Sequence, residues 1–275
     1  MKISDAMKVL RKSDSENIFN LYVVTEKKMY PFKNMTVGQR KSISKVAIDT
    51  NDTTFDIDFH LMYLGVLQEL CIDDTFNVSN LTDVDFIVLV ADLRRNIIMD
   101  DLTITSTCPK CNAKTNFRLE FNKIVESGKN YEPVHFEMVK MINGKSVKFL
   151  IDDPLITTYL SYLNYIQVHK TSPKLAELVD IGKLKVMNYP LQFLRDIMID
   201  DEKVSDFNEM NFAKKVKFID DTFDSEIMYG KDGVFTKIYN DVPDNRVSKL
   251  YPLIKCSKCP YERESVVTFD NFFSF

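Results

Sequence analysis

Two stretches of this sequence decide its fold: LTITSTCPKCNAKTNFRLEF at residues 102–121 and YPLIKCSKCPYERESVVTF at residues 251–269. Each stretch contains one Cys-x-x-Cys pair with a lysine between the two cysteines. The residues on both sides of each pair favour β-strands, and the strand after each pair alternates between polar and apolar side chains. Both stretches therefore predict the same local unit, which we call a knuckle: a strand, a tight turn that carries two thiols, and a second strand.

The two knuckles together indicate a zinc site. Zinc is held in a tetrahedron by thiolates at about 2.3 Å, whereas a single Cys-x-x-Cys pair also serves redox chemistry. The three histidines, at positions 60, 135 and 169, do not lie at knuckle spacing, although each pair could still bind a separate metal with another ligand. The economical arrangement is one shared zinc per chain. Its predicted ligands are Cys108, Cys111, Cys256 and Cys259. Four thiolates leave no open position for water or substrate, so we expect a structural metal.

The spacing of the two pairs predicts the domain organisation. Residues 112–255 lie between them, against roughly fifteen to twenty residues in a compact zinc ribbon. We therefore expect an α+β fold, in which a split zinc-ribbon-like β unit carries a large insertion. Three regions are predicted: an N-terminal hairpin, helices and first knuckle at 1–125, a mostly helical insertion at 126–250, and a second knuckle with an aromatic tail at 251–275.

Hydrophobic periodicity predicts the remaining elements. Period-two segments indicate one hairpin at 21–32 and another at 141–151, where Asn143-Gly144 is a turn signal. Apolar residues at helical spacing predict several amphipathic helices. The clearest cover 36–48, 58–72, 82–98, 154–169, 173–186, 189–199 and 206–229.

Composition excludes several classes of protein. The chain has 275 residues and is 45% hydrophobic, which favours a globular protein with a core. Its net charge of −4 argues against nucleic-acid binding as its main role. It lacks a long apolar run and a secretory signal, so we expect no transmembrane segment and an intracellular location, unless the protein leaves the cell by another route. Common nucleotide-binding and hydrolase motifs are absent, and the five Asp-Asp pairs fit caps and turns. We therefore expect no enzyme.

The C-terminal residues NFFSF form a second candidate site. An aromatic terminus either packs into the core of its own protein or anchors a partner, because exposed aromatic clusters are favoured at interfaces. Both alternatives are open for Phe272, Phe273 and Phe275. We treat these three residues as candidate partner-binding residues.

The order of these parts resembles a known family. The segment MYPFKNMTVGQRKSI is followed by helices and then by LRRNIIMDDLTITSTCPKC. Pro31, Phe32, the Thr36–Gln39 segment, the Asp92–Arg94 segment and the first cysteine pair are similar to the T4-type baseplate hub assembly family of contractile-tailed bacteriophages. Its members are hub subunits or hub assembly chaperones. The resemblance covers mainly residues 20–125.

The resemblance implies a non-enzymatic structural or assembly protein. Its partners would be other baseplate hub and tail proteins, with the tape-measure protein among the candidates. It would be located in the virion tail, or in the host cytoplasm during tail assembly. Two competing classes are a zinc-ribbon nucleic-acid-binding or transcription-associated factor and a metal-dependent enzyme. The first conflicts with the acidic composition, and the second with a closed four-thiolate site.

Overall fold

The computed structural model describes residues 18–39, 41, 55–97, 101–172, 180–242, 250 and 253–264. The described strands are β1 (Ile18–Val23), β2 (Lys28–Lys33), β3 (Leu102–Thr107), β4 (Lys114–Leu119), β5 (His135–Ile142), β6 (Lys145–Asp152), β7 (Leu194–Ile199), β8 (Glu202–Lys203), β9 (Leu253–Lys255) and β10 (Glu262–Glu264). The described helices are α1 (Phe55–Leu70), α2 (Asp83–Ile97), α3 (Phe121–Lys129), α4 (Ile156–Thr171), α5 (Ile181–Asn188), α6 (Phe212–Thr222), α7 (Ser225–Tyr229) and α8 (Val234–Asp241). The chain is a mixture of helix and sheet, which confirms the α+β class.

The chain divides into two compact units. Unit 1 consists of Met1–Tyr131 together with Val247–Phe275, and unit 2 consists of Glu132–Arg246. The described part of unit 1 contains three two-stranded antiparallel sheets, β1-β2, β3-β4 and β9-β10, with helices α1 to α3. Unit 1 is therefore built from two separate segments of chain, each of which contributes one knuckle.

Helix α2 is the buried centre of unit 1, since every residue from Asp83 to Arg94 is buried. Its start is a capping box. Thr82 Oγ1 accepts a hydrogen bond from the N–H of Asp85 at 3.1 Å, and the Asp85 carboxylate accepts one from the N–H of Thr82 at 3.0 Å. The same carboxylate accepts bonds from the N–H and the hydroxyl of Thr25 at 3.0 and 2.6 Å. A fully buried charge is thus satisfied, and the β1-β2 turn is tied to α2.

Unit 2 is built on an antiparallel sheet of order β5-β6-β7-β8. The β5-β6 hairpin turns at Asn143 and Gly144, whose φ angles of 49° and 77° fit the two-residue turn that the Asn-Gly signal predicts. Alternate residues of β6, at positions 147, 149 and 151, are buried in a core shared with side chains of α4, α6 and α8. The sheet and these helices give unit 2 a hydrophobic core of its own.

Two helix predictions in unit 2 are wrong. Residues 189–199 contain strand β7, which pairs antiparallel with β6. A short apolar segment such as LRDIMI fits a helix or a strand by periodicity, and pairing with a neighbouring strand decides between them. The predicted helix at 206–229 is two helices, α6 and α7. The backbone is extended at Phe223, which ends α6, and at Asp224, which precedes α7.

Close packing of α3 on α2 can be tested at Gly128. A Cβ added there would lie 2.4 Å from Cγ2 of Val88. We expect Gly128→Ala to lower the free energy of unfolding by about 1–3 kcal/mol, because an overpacked core must shift. Urea denaturation measures this change.

The matched control is Gly65→Ala in α1. Apart from its two chain neighbours and the nearby backbone of α1 itself, no described residue has an atom within 4 Å of a Cβ added at Gly65. Because glycine weakens a helix interior, we expect this substitution to be neutral or to stabilise by about 0.5–1 kcal/mol. Equal destabilisation by both substitutions would contradict the packing.

Candidate metal centre

The four predicted cysteines meet at one place in unit 1. Their Sγ atoms all lie within 4.8 Å of one another. Across the two knuckles, Cys108 Sγ lies 3.7 Å from Cys259 Sγ, and Cys111 Sγ lies 3.5 Å from Cys256 Sγ. Among the described residues, no other group of three or more metal-binding side chains is this compact. The shared site predicted from the sequence is therefore present as a cluster of four thiols.

Both knuckles use the same backbone closure. The N–H of Cys108 donates to the carbonyl oxygen of Ala113 at 2.9 Å, and the N–H of Cys256 donates to that of Tyr261 at 2.9 Å. In each case the first cysteine is bonded to the residue five positions later. In the first knuckle, Asn112 has a φ of 55°, a left-handed conformation that asparagine tolerates better than most residues. These closures direct the two thiols of each pair to the same side.

The sulfur spacing fits a tetrahedral metal. Four thiolates at about 2.3 Å from a central ion are about 3.8 Å from one another, by the geometry of a tetrahedron. The two sulfur–sulfur distances across the knuckles, 3.7 and 3.5 Å, are close to this value. The first thiol, Cys108, is buried, whereas Cys111 is exposed. The cluster therefore has its base within unit 1 and its outer edge at the surface.

Hydrogen bonds to sulfur give the thiols of the cluster different pKa values. The N–H of Lys258 donates to Cys256 Sγ at 3.4 Å, and this bond, with others from the N–H of Cys259 and from neighbouring thiols, lowers the pKa of Cys256 to about 6. At Cys111 the N–H of Ala113 lowers the pKa, but the neighbouring sulfur atoms outweigh it and raise the pKa to about 12. The Cys256 thiolate is thus stabilised mainly by backbone N–H groups and to a smaller extent by the protons of neighbouring thiols. A metal ion would displace those protons, because its ligands are thiolates.

Besides the sulfur–sulfur contacts, two side-chain contacts between described residues join the knuckles, and the sequence predicted neither. Thr115 Oγ1 lies 3.2 Å from Ser257 Oγ and accepts a hydrogen bond from the N–H of Ser257, also at 3.2 Å. Lys110 Nζ lies 5.1 Å from the centre of the Tyr261 ring. No local signal could reveal these contacts, since Thr115 and Ser257 are 142 positions apart.

The other candidate residues do not join the cluster. His60 stacks on Phe86 in the core of unit 1, His135 pairs with Asp152, and His169 contacts the carbonyl oxygen of Tyr165. Each histidine therefore has its contacts outside the four-thiol cluster, and His60 is a core residue. Cys71 is half-buried, with its sulfur 3.8 Å from the carbonyl oxygen of Asp73. The aromatic residues Phe272, Phe273 and Phe275 lie outside the described residues.

The shared site predicts the metal content of the protein. We expect one metal ion per purified chain, and we expect Cys108→Ser or Cys256→Ser to abolish stoichiometric binding, because each substitution removes one of four converging ligands. Elemental analysis by mass spectrometry measures the ratio of metal to protein. Cys71→Ser is the matched control and should keep its metal. Two ions per chain, or full retention after Cys256→Ser, would contradict a shared site.

Comparisons with protein-family models, with curated protein sequences and with solved structures find no match to this chain. Among the described residues, no helix combines the length and the apolar composition needed to cross a bilayer. The function has to be inferred from the residues of the chain itself, and the four-thiol centre is the arrangement of described residues with the clearest chemistry.

Proposed function

We propose that this protein is a non-enzymatic structural or assembly component of a contractile phage tail, related to baseplate hub subunits or hub assembly chaperones. One structural zinc ion closes its split zinc-ribbon-like unit. The observation that carries the proposal is the convergence of four thiols from two distant knuckles on one centre. That centre joins parts of the chain and offers no position for substrate.

The donor set supports zinc. Four thiolates in a tetrahedron select zinc or iron among the common metals, and zinc is the usual occupant of closed sites formed by two Cys-x-x-Cys pairs. Zinc with four thiolates carries a net charge of −2. Lys110 and Lys258 are exposed within the two knuckles and supply opposite charge nearby. This charge balance gives the knuckle lysines a structural role that needs no nucleic acid.

The residues that carry the family resemblance have structural roles in unit 1. Thr36 and Gln39 form a capping box, with the N–H of Thr36 donating to Gln39 Oε1 at 2.8 Å and the N–H of Gln39 donating to Thr36 Oγ1 at 3.2 Å. Asp92 is buried in α2 and pairs with Arg95 at 2.6 Å. Arg94, also buried, lies 5.0 Å from the centre of the Phe121 ring. These residues cap or pack elements of unit 1, and an assembly protein needs a stable unit of this kind.

The proposal predicts where the protein is found. In cells infected with the phage that encodes it, a tagged copy should co-purify with baseplate hub and tail proteins, as identified by mass spectrometry. Mass spectrometry of purified particles then separates the two roles: a subunit remains in the finished tail, and a chaperone occurs only in assembly intermediates. The Cys256→Ser protein should support fewer finished tails than the Cys71→Ser protein when each complements a deletion.

Two results would contradict the proposal. The first is a protein that associates with tail proteins neither in particles nor in intermediates. The second is retention on DNA or RNA that falls steeply between low and moderate salt, which is the signature of phosphate contacts. The second result would favour a zinc-ribbon nucleic-acid-binding factor.

A further inference from the structure

The hydroxyl of Thr115 connects the two knuckles beside the four thiols. Thr115 lies on β4, four residues after the last cysteine of the first knuckle, and its hydroxyl reaches the second knuckle. There it makes two contacts with one residue, accepting from the N–H of Ser257 and lying 3.2 Å from Ser257 Oγ. Ser257 is the residue between Cys256 and Lys258, so this contact reaches into the turn that presents the second pair of thiols.

The same threonine lines the cavity between the knuckles. Its other lining residues include Cys108 from the first knuckle, and Cys256 and Tyr261 from the second. The contact therefore lies at the place where the two halves of the centre face each other. The second contact between the knuckles, from Lys110 to the Tyr261 ring, involves an exposed lysine. The Thr115 contacts are also exposed, but they reach the turn that carries Cys256 and Cys259, whereas Lys110 contacts a residue after that turn.

We infer that Thr115 is a positioning residue for the metal centre, which holds the second knuckle in register with the first so that four sulfurs converge. The inference rests on the proposed zinc centre. Side chains that hydrogen-bond to metal ligands change metal affinity by about 10–100-fold when they are lost. Thr115 acts one residue away, on Ser257 next to the ligand Cys256. Alignment of the two knuckles needs such a contact here, because the two ligand pairs come from distant parts of the chain and no short loop aligns them.

The two contacts between Thr115 and Ser257 predict different effects for substitutions at the two positions. Thr115→Val keeps the shape of the side chain and removes the hydroxyl, so both contacts are lost. Ser257→Ala removes only the contact with Ser257 Oγ, since the N–H of residue 257 can still donate to Thr115. Thr115→Ser retains the hydroxyl. The variants should therefore bind zinc in the order wild type and Thr115→Ser, then Ser257→Ala, then Thr115→Val.

The matched control is Thr105→Val on β3. Thr105 Oγ1 donates to Asn116 Oδ1 at 2.8 Å, a contact between two strands of the same hairpin. It resembles the Thr115 contact in chemistry but does not join the knuckles. Its loss should leave zinc affinity unchanged.

The experiment measures the zinc dissociation constant of each full-length variant by competition with a chromophoric chelator. We expect Thr115→Val to bind zinc about 10–100-fold more weakly than wild type, and Thr115→Ser and Thr105→Val to bind within about twofold of wild type. The Thr115→Val, Ser257→Ala double variant should bind no more weakly than Thr115→Val alone. The visible spectrum of the cobalt-substituted Thr115→Val protein should match wild type, because its four ligands are intact.

Three results would overturn the inference. The first is an unchanged affinity in Thr115→Val while wild type binds zinc. The second is a Thr105→Val loss as large as that of Thr115→Val, which would indicate general destabilisation of the hairpin. The third is a failure of Thr115→Ser to bind like wild type. If the wild-type protein binds no zinc, the proposed zinc centre itself is wrong. Failure of the zinc proposal is therefore distinguishable from failure of the Thr115 inference.

Discussion

The convergence of four thiols is the interaction on which unit 1 depends. It joins β3 and β4 to β9 and β10, although Cys111 and Cys256 are 145 positions apart. Closing a flexible loop of that length costs about 4 kcal/mol in the length-dependent part of the entropy. Zinc binding to small four-ligand peptides is worth about 10–16 kcal/mol apparent. A bound metal is therefore strong enough to hold the two segments together, whereas a single hydrogen bond between them is not.

This constraint explains why the insertion has a core of its own. The knuckles can meet only if the chain that leaves near residue 131 returns near residue 247. Unit 2 has an antiparallel sheet backed by helices and a continuous buried core, so its stability does not have to come from the knuckles. Hydrophobic burial stabilises unit 2, whereas the two segments of unit 1 meet where the four thiols converge.

Within unit 1, polar contacts also join elements that are distant in sequence. The Asp85 carboxylate ties the β1-β2 turn to α2 through two donors of Thr25, and Thr115 ties one knuckle to the other through a single hydroxyl. Each case joins elements that are distant in sequence. Hydrogen bonds are well suited to this because their geometry is directional. For the buried Asp85, the penalty for losing its partners would also be high.

Local chemistry alone determined much of this protein. The two Cys-x-x-Cys turns, the hairpins at the N-terminus and at Asn143-Gly144, and helix α2 follow from ligand spacing, turn residues and periodicity, all of which act over a few residues. Strand β7 and the Thr115–Ser257 contact were decided only by the tertiary structure. LRDIMI becomes a strand because β6 offers it a pairing edge, and Thr115 meets Ser257 because the folded chain brings both knuckles to one centre. Such contacts depend on partners that are distant in sequence, so a local sequence pattern cannot predict them.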